Sequence, residues 1–435
     1  MLRPQMPDAR AYPPSESKRS FRLGVANGVL FSAADAFFES NTIIPVFISR
    51  LTSSNVLIGL SSSIANLGWF LPQVFTSHLL QTRAYRKPFY TYAAYVRVGA
   101  LAGLALLIHF LGSTHPDLLL GLFFLLFTAY ALGGGFAGVS FMDIVGKTIP
   151  PERRGDFWGY RLFGGGILAV LAGIGVKFAL GSFLFPQSYA LLFGVGSLFV
   201  LIAVMTFIFV REPPSEVPEH PLSFSEHLRL GARIFSKDHA FRHLLYFRLS
   251  LGLWAMAQPF YVIYAKRVLG VPDSTAGVYL SIQIAGSIIT NLFWGRLSRT
   301  KGDRFVLETL AGLAFLVPAA VLASSLAPGS LRAYLFYPAF FFVGATFCGL
   351  AIGYSNLLLE IAPEATRPQY VGFMNALITP TAFLPALGGI VVNLFSFPIL
   401  FATAMLAALL ASLSAAQLKK RTEPRPPDTA LDFLI

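Results

Sequence analysis

One cysteine, Cys348, occurs in 435 residues, and charged residues make up only 12% of the chain. A lone cysteine inside an apolar stretch excludes an internal disulfide and any cysteine-built metal cluster. Soluble domains carry about a quarter charged residues, so this chain is not solvated on all sides. Histidine is sparse too: there are seven, and His220, His227, His239 and His243 fall in one region with no HExxH spacing. A membrane-embedded hydrolase or acyltransferase would need a nucleophile–base set or a metal cluster. Neither pattern occurs, so the sequence reads as a non-enzyme with no cofactor and no metal. The first 20 residues are polar and proline-containing, with no short apolar core before a small-residue cleavage site. They read as a tail rather than as a cleaved signal peptide.

What the chain has in quantity is apolar length: 55% of its residues are hydrophobic. Stretches of roughly 20 apolar residues, enough to cross a bilayer, occur twelve times. They lie near 23–47, 56–80, 89–111, 118–145, 158–182, 188–210, 241–265, 275–297, 305–327, 333–359, 369–394 and 396–417. The net charge is +12, and its placement explains it. Of the 33 Lys and Arg, 28 fall in the two tails, the even-numbered connections and the helix ends beside them; the exceptions are Arg50, Lys177, Lys266, Arg267 and Arg332. This positive-inside bias predicts a multi-pass protein of the plasma (inner) membrane with both termini cytoplasmic. Its surroundings are lipid, and nucleic acid is excluded as a partner.

The run REPPSEVPEHP (Arg211 to Pro221) neither spans nor continues a helix. After it, Leu228, Ala232 and Phe235 form one stripe and Arg229, Arg233 and Lys237 another, which predicts a basic amphipathic helix on the inner surface. The chain therefore divides into a tail (1–22), a six-helix bundle (23–210), a linker (211–240), a second bundle (241–417) and a tail (418–435).

The two halves repeat one another. Gly59 to Arg86 aligns without a gap on Gly277 to Arg304 at an offset of 218, with Gly59/Gly277, Ser63/Ser281, Gly68/Gly286, Phe75/Phe293 and Arg86/Arg304 identical. Pro150/Pro363, Arg154/Arg367, Gly159/Gly372 and Gly175/Gly388 repeat at an offset of 213. Similar halves of a membrane protein place a pathway between them.

WGRLSRTKGDR (Trp294 to Arg304), between the eighth and ninth spans, resembles the inner-loop motif of the major facilitator superfamily, Gly-x-Leu-x-Asp-Arg-x-Gly-Arg-Arg. Gly295, Leu297 and Gly302 match; Arg299 stands where the family has Asp, Asp303 replaces a basic residue, and Arg304 closes the stretch. The first-half copy, Ser77 to Arg86, keeps only Leu79 and Arg86. The glycines suit close approach of helices. The resemblance implies an all-α fold of 12 transmembrane helices in two pseudo-symmetric six-helix bundles, with helices one, four, seven and ten around a central cavity. It also implies that this loop latches the outward-open state, and that the chain is a secondary active transporter of a small organic solute. No subfamily pattern is matched. The alternatives are a transporter-like membrane receptor and a lipid or drug exporter without proton coupling.

Residues present in one half only are the better functional candidates. Asp35 and Glu39 lie in the middle of the first span, four apart and expected on one helical face, while the seventh span has no carboxylate. Such groups cost at least ~2.5–3.5 kcal/mol at the bilayer centre. They suit proton coupling, or sodium coupling with Ser32 or Asn66 nearby. Arg97 and Arg161 are the possible charge partners that would make the pair merely structural. Trp69, Gln73, Trp254, Gln258, Tyr261, Tyr354 and Asn356 are expected to line the cavity. Asp143 and Glu360 are expected to pair with Arg153 or Arg367. Arg248 either meets an anionic substrate or extends to the inner surface. Two acids favour a cationic or neutral amphipathic solute, and the protein reads as a monomer.

Overall fold

The computed structural model describes residues 13–81, 83–214, 234–328, 331–363 and 367–418. The linker helix expected around 223–237 falls largely outside the described residues, as do most of both tails. No strand occurs among the described residues. The first half comprises α1 (Pro14–Phe37), α2 (Ile43–Leu51), α3 (Asn55–Gln81), α4 (Lys87–Leu111), α5 (Pro116–Thr148), α6 (Pro151–Ser182) and α7 (Gln187–Ile208). The second comprises α8 (His239–Ala255), α9 (Gln258–Arg267), α10 (Thr275–Lys301), α11 (Asp303–Leu326), α12 (Leu331–Ile361), α13 (Arg367–Ile378), α14 (Leu384–Leu394) and α15 (Phe397–Ala416).

Among the described residues, nine helices are long and apolar enough to cross a membrane. The other three expected spans are the first, second and seventh. The second is the continuous α3, whose hydropathy is lowered by Ser61, Ser62, Ser63, Asn66 and Gln73. The first and seventh are each broken. Between α1 and α2, residues 38–42 leave the helix because short polar side chains offer the backbone alternative hydrogen bonds. Between α8 and α9, Pro259 stands at the start of a new helix. A proline there has no N–H to give and would clash with the carbonyl of Ala255. At the 218-residue offset, Phe38 corresponds to Met256, so the two breaks occupy equivalent places. The eleventh span is also interrupted, by a 3-10 segment at Thr379–Phe383.

Packing is mirrored between the halves. In the first, α3 and α4 lie on α5, and α7 packs against α1 and α4. In the second, α10 and α11 lie on α12, and α15 packs against α8 and α11. Two seams join the halves: α3 on α14, and α6 on α10.

The repeated residues build these seams. A Cβ on Gly59 would collide with the backbone of Pro385, and one on Gly277 with the backbone of Gly173 and Lys177. Gly389 meets Asn55 and Val56 in the same way. Ser63 and Ser281, one of the identical pairs, both bridge. Ala386 N donates to Ser63 Oγ at 3.1 Å, and Ser281 Oγ donates to the Val170 carbonyl at 3.2 Å. Small residues let backbones approach closely where no water drives association.

Candidate functional site

Asp35 sits near the end of α1 and is exposed, although its neighbours Ala34 and Ala36 are buried. Its carboxylate Oδ1 accepts a hydrogen bond from Tyr130 on α5 at 3.2 Å, and that hydroxyl accepts one from Arg97 Nη2 on α4 at 2.7 Å. The Arg97 guanidinium lies over the rings of Tyr130 (4.5 Å) and Phe31 (4.9 Å). Gly133 makes room for it, since a Cβ there would press on the Arg97 side chain. Arg97, one of the two possible charge partners, therefore reaches Asp35 through a tyrosine that no spacing or motif singles out. Acids at this depth are usually held toward a bundle interior or a water-filled cavity, and Asp35 is bonded toward another helix.

Glu39 is placed differently from the expectation. The helix ends at Phe37, so Asp35 and Glu39 do not share a helical face. Glu39 lies in the break, where its carboxylate accepts from Asn41 N (2.9 Å), Asn41 Nδ2 (3.2 Å) and Thr42 Oγ1 (2.9 Å). Its carbonyl accepts from Ile43 N and Ile44 N, both at 3.0 Å. The backbone carbonyl thus satisfies donors at the start of α2, while the carboxylate holds the turn of Asn41 and Thr42 just before it.

Arg161 on α6 does not reach Asp35. It donates to the Gly24 carbonyl and to Asn27 Oδ1, and it packs among Phe141, Phe157 and Trp158 with ring distances of 4.7, 5.4 and 5.4 Å.

The expected cavity residues separate into two groups. Trp69 is exposed, Gln73 half-buried, and Tyr354 half-buried beneath the Arg248 guanidinium at 4.8 Å. Trp254, Gln258 and Tyr261 are instead buried. Trp254 Nε1 donates to the Ala314 carbonyl on α11 at 2.7 Å, and Tyr261 packs on Phe401 of α15. Asn356 is exposed and donates to Asp303 Oδ1 at 3.2 Å, so it braces the loop beside it.

In the inner-loop motif, Gly302 has φ +87, a conformation that favours glycine. Asp303 accepts from Ser298 Oγ at 2.6 Å, and Arg304 holds Glu308 (2.8 Å) and the Ala416 carbonyl (2.7 Å). Leu297 is buried and Arg299 exposed. Gly295 has open space around it, so the expected close approach is not made in this conformation. At the same end of the first half, Asp143 pairs with Arg86 and with Lys147 (2.5 Å) rather than with Arg153. Glu212, unremarked in the sequence, accepts from Lys147 Nζ (2.9 Å) and from the backbone of Arg86 and Lys87.

At the opposite end a second cluster joins the halves. Asp273 binds Arg50 Nε at 2.6 Å and Lys266 Nζ at 3.0 Å, with the Tyr189 hydroxyl at 3.5 Å. Arg267 donates to Asn55 Oδ1 at 2.7 Å, and Asn55 Nδ2 donates to Asn393 Oδ1 at 2.7 Å. Burial alone would lower the Arg50 pKa, but the hydrogen bond and charge of Asp273 outweigh it and hold it above the usual value. For Lys266 burial prevails over the same attraction, and its pKa is lowered. The signal for this cluster was present in the sequence. Arg50, Lys266 and Arg267 are three of the five cations that break the positive-inside pattern.

The sequence matches the family model described as Major Facilitator Superfamily over residues 30–379 and 249–432. The chain belongs to the Major Facilitator Superfamily. With its apolar helices, this makes it an integral multi-pass membrane protein. Among solved structures, this superfamily member resembles the nucleoside transporter NupG at 16% identity and a TM-score of 0.65, covering 93% of this chain and 100% of that one. An auto-inhibited POT family peptide transporter gives 14% identity and 0.68, covering 94% and 99%. A bacterial homologue of the iron transporter ferroportin, in an inward-facing state, gives 16% and 0.63, covering 93% and 99%. At these identities the likeness shows the fold alone. No curated protein matches the sequence.

Proposed function

We propose that the protein is a secondary active transporter of a small organic solute, working by alternating access and coupled to protons through Asp35. The relatives carry unlike cargoes, so the argument rests on this chain's own residues. The observation that carries it is the Asp35–Tyr130–Arg97 chain, an exposed carboxylate in mid-span linked to a cation on another helix. Protonation of Asp35 removes the charge that Tyr130 and Arg97 face. This loosens a link among α1, α4 and α5, the helices that must shift if access is to change sides. Glu39, with its carboxylate engaged in the break, sets the geometry at Asp35 rather than carrying the proton.

The twelve spans form two six-helix bundles in this reading, which the mirrored packing and equivalent breaks support. The positive-inside bias puts both termini in the cytoplasm of a plasma (inner) membrane. The Asp273 cluster then lies outside, and the molecule is closed there and open inward. Trp69, Gln73 and Tyr354 are the residues assigned to the solute cavity.

The test is uptake by the purified protein in lipid vesicles under an imposed pH gradient, across a solute panel. Asp35→Asn is expected to lose gradient-driven accumulation while keeping solute exchange. Glu39→Gln is expected to keep coupling and to lose about 1 kcal/mol of stability, because it removes the charge from three hydrogen bonds in the break. Unchanged accumulation and pH dependence in Asp35→Asn would sink the proton-coupling reading.

A further inference from the structure

We infer that the solute carries a negative group, a carboxylate or a phosphate, which docks on Arg248 beside Tyr354. This rests on the transporter reading and names its substrate class.

The argument starts from which membrane-depth charges are already engaged. Asp35 faces Arg97 through Tyr130, and the Glu39 carboxylate accepts three hydrogen bonds at the start of α2. The expectation of a cationic or neutral solute counted both acids as available, and neither is. Three cations within the spans have no carboxylate partner among the described residues: Arg161 and Lys177 on α6 and Arg248 on α8. Lys177 is exposed toward the end of its span. Arg161 is satisfied in another way, by two oxygens and three aromatic rings. Arg248 has Tyr354 beside it, and no carboxylate or carbonyl acceptor among the described residues.

Its Nε is buried with no hydrogen-bond partner, and the Tyr354 hydroxyl lies against the same guanidinium. A buried guanidinium nitrogen left unpaired in this way is costly unless a ligand completes it. The alternative, a long side chain extended to the inner surface, does not fit the geometry. The guanidinium of Arg248 on α8 is held over the Tyr354 ring of α12. Glu360 lies further along α12 and makes no ion pair with it among the described residues. At the repeat offset Arg248 corresponds to Leu30, so it is not scaffold shared by both halves. A planar guanidinium with unused donors matches the two oxygens of a carboxylate or phosphate, and a tyrosine hydroxyl adds a third donor.

The test uses the full chain purified in detergent, with inorganic phosphate and succinate as probes at constant ionic strength. The readout is the thermal-unfolding midpoint as each anion is titrated. Wild type is expected to show a saturable rise with at least one of them. Arg248→Gln should weaken the apparent affinity ten-fold or more, Tyr354→Phe a few-fold, and Arg248→Lys should keep part of it. Arg161→Gln should leave the response in place, and the unliganded midpoints show which variants are folded. No anion response in wild type, or an equal response in Arg248→Gln, overturns the inference. Vesicle exchange of a neutral or cationic solute that is unaffected by Arg248→Gln also overturns it, while leaving the transporter reading intact. Anion binding that depends on Arg248, without exchange of any solute, counts against the transporter reading and leaves the site.

Discussion

Asp273 draws three side chains from two halves of the molecule onto one carboxylate that is itself only 8% exposed. Removing its charge leaves Arg50 and Lys266 without their partner. Hydrogen bonds to charged groups contribute about 1.5–3 kcal/mol, discounted here because Arg50 is 46% exposed and screened by solvent. We expect Asp273→Asn to weaken the closure of the halves at this end by about 1.4 kcal/mol, a ten-fold change in population. Thiol labelling at Ser53→Cys should then quicken several-fold; an unchanged rate would mean that the cluster does not hold this end. The site was partly legible at this scale. Asp35 stood out because its charge has no counterpart in the second half, and Arg97 because it is a cation within a span. Tyr130 was not legible, since a tyrosine among many apolar residues carries no spacing signal. Trp254 and Tyr261 misled because helical spacing fixes a face without saying which neighbour covers it; here α11 and α15 do.

At the scale of elements, the repeat identified the seams and the breaks went unseen. Gly59, Gly277, Ser63 and Ser281 were legible as repeated residues, and the structure gives the reason: each lies where α3 meets α14 or α6 meets α10. Periodicity over 23–47 and 241–265 reads as one helix each, because apolar residues continue across the interruption. Pro259 was the available clue in the seventh span. In the first, the clue was the cluster Glu39, Ser40 and Asn41, whose side chains compete for backbone donors. Gly277→Leu places a side chain against the backbone of Gly173 and Lys177. It should therefore disfavour the present conformation while leaving the rest of α10 folded. Cysteine accessibility at Arg299→Cys, beside the inner loop, is expected to fall in that variant as the inner end closes. Unaltered accessibility, with normal yield of folded protein, would argue against the seam as a working contact.

For the whole molecule, two seams join the halves, Asp35 is linked to α4 and α5 within the first half, and the Asp273 cluster ties the halves together at one end. The multi-pass, all-helical character was the most legible property of all, because chain-wide hydropathy averages over many residues. The conformation was not, because in the proposed mechanism the same sequence serves both an inward-open and an outward-open state. Alternating access requires the two ends to move in opposite senses. The direct measurement is a pair of spin-label distances in vesicles, with Cys348 first replaced. One pair is Ser53→Cys with Val268→Cys at the outer end; the other is Arg83→Cys with Arg299→Cys at the inner end. On lowering the pH or adding Asp35→Asn, the outer distance should lengthen and the inner one shorten together. Distances that stay fixed, or that change in the same sense, would contradict the account.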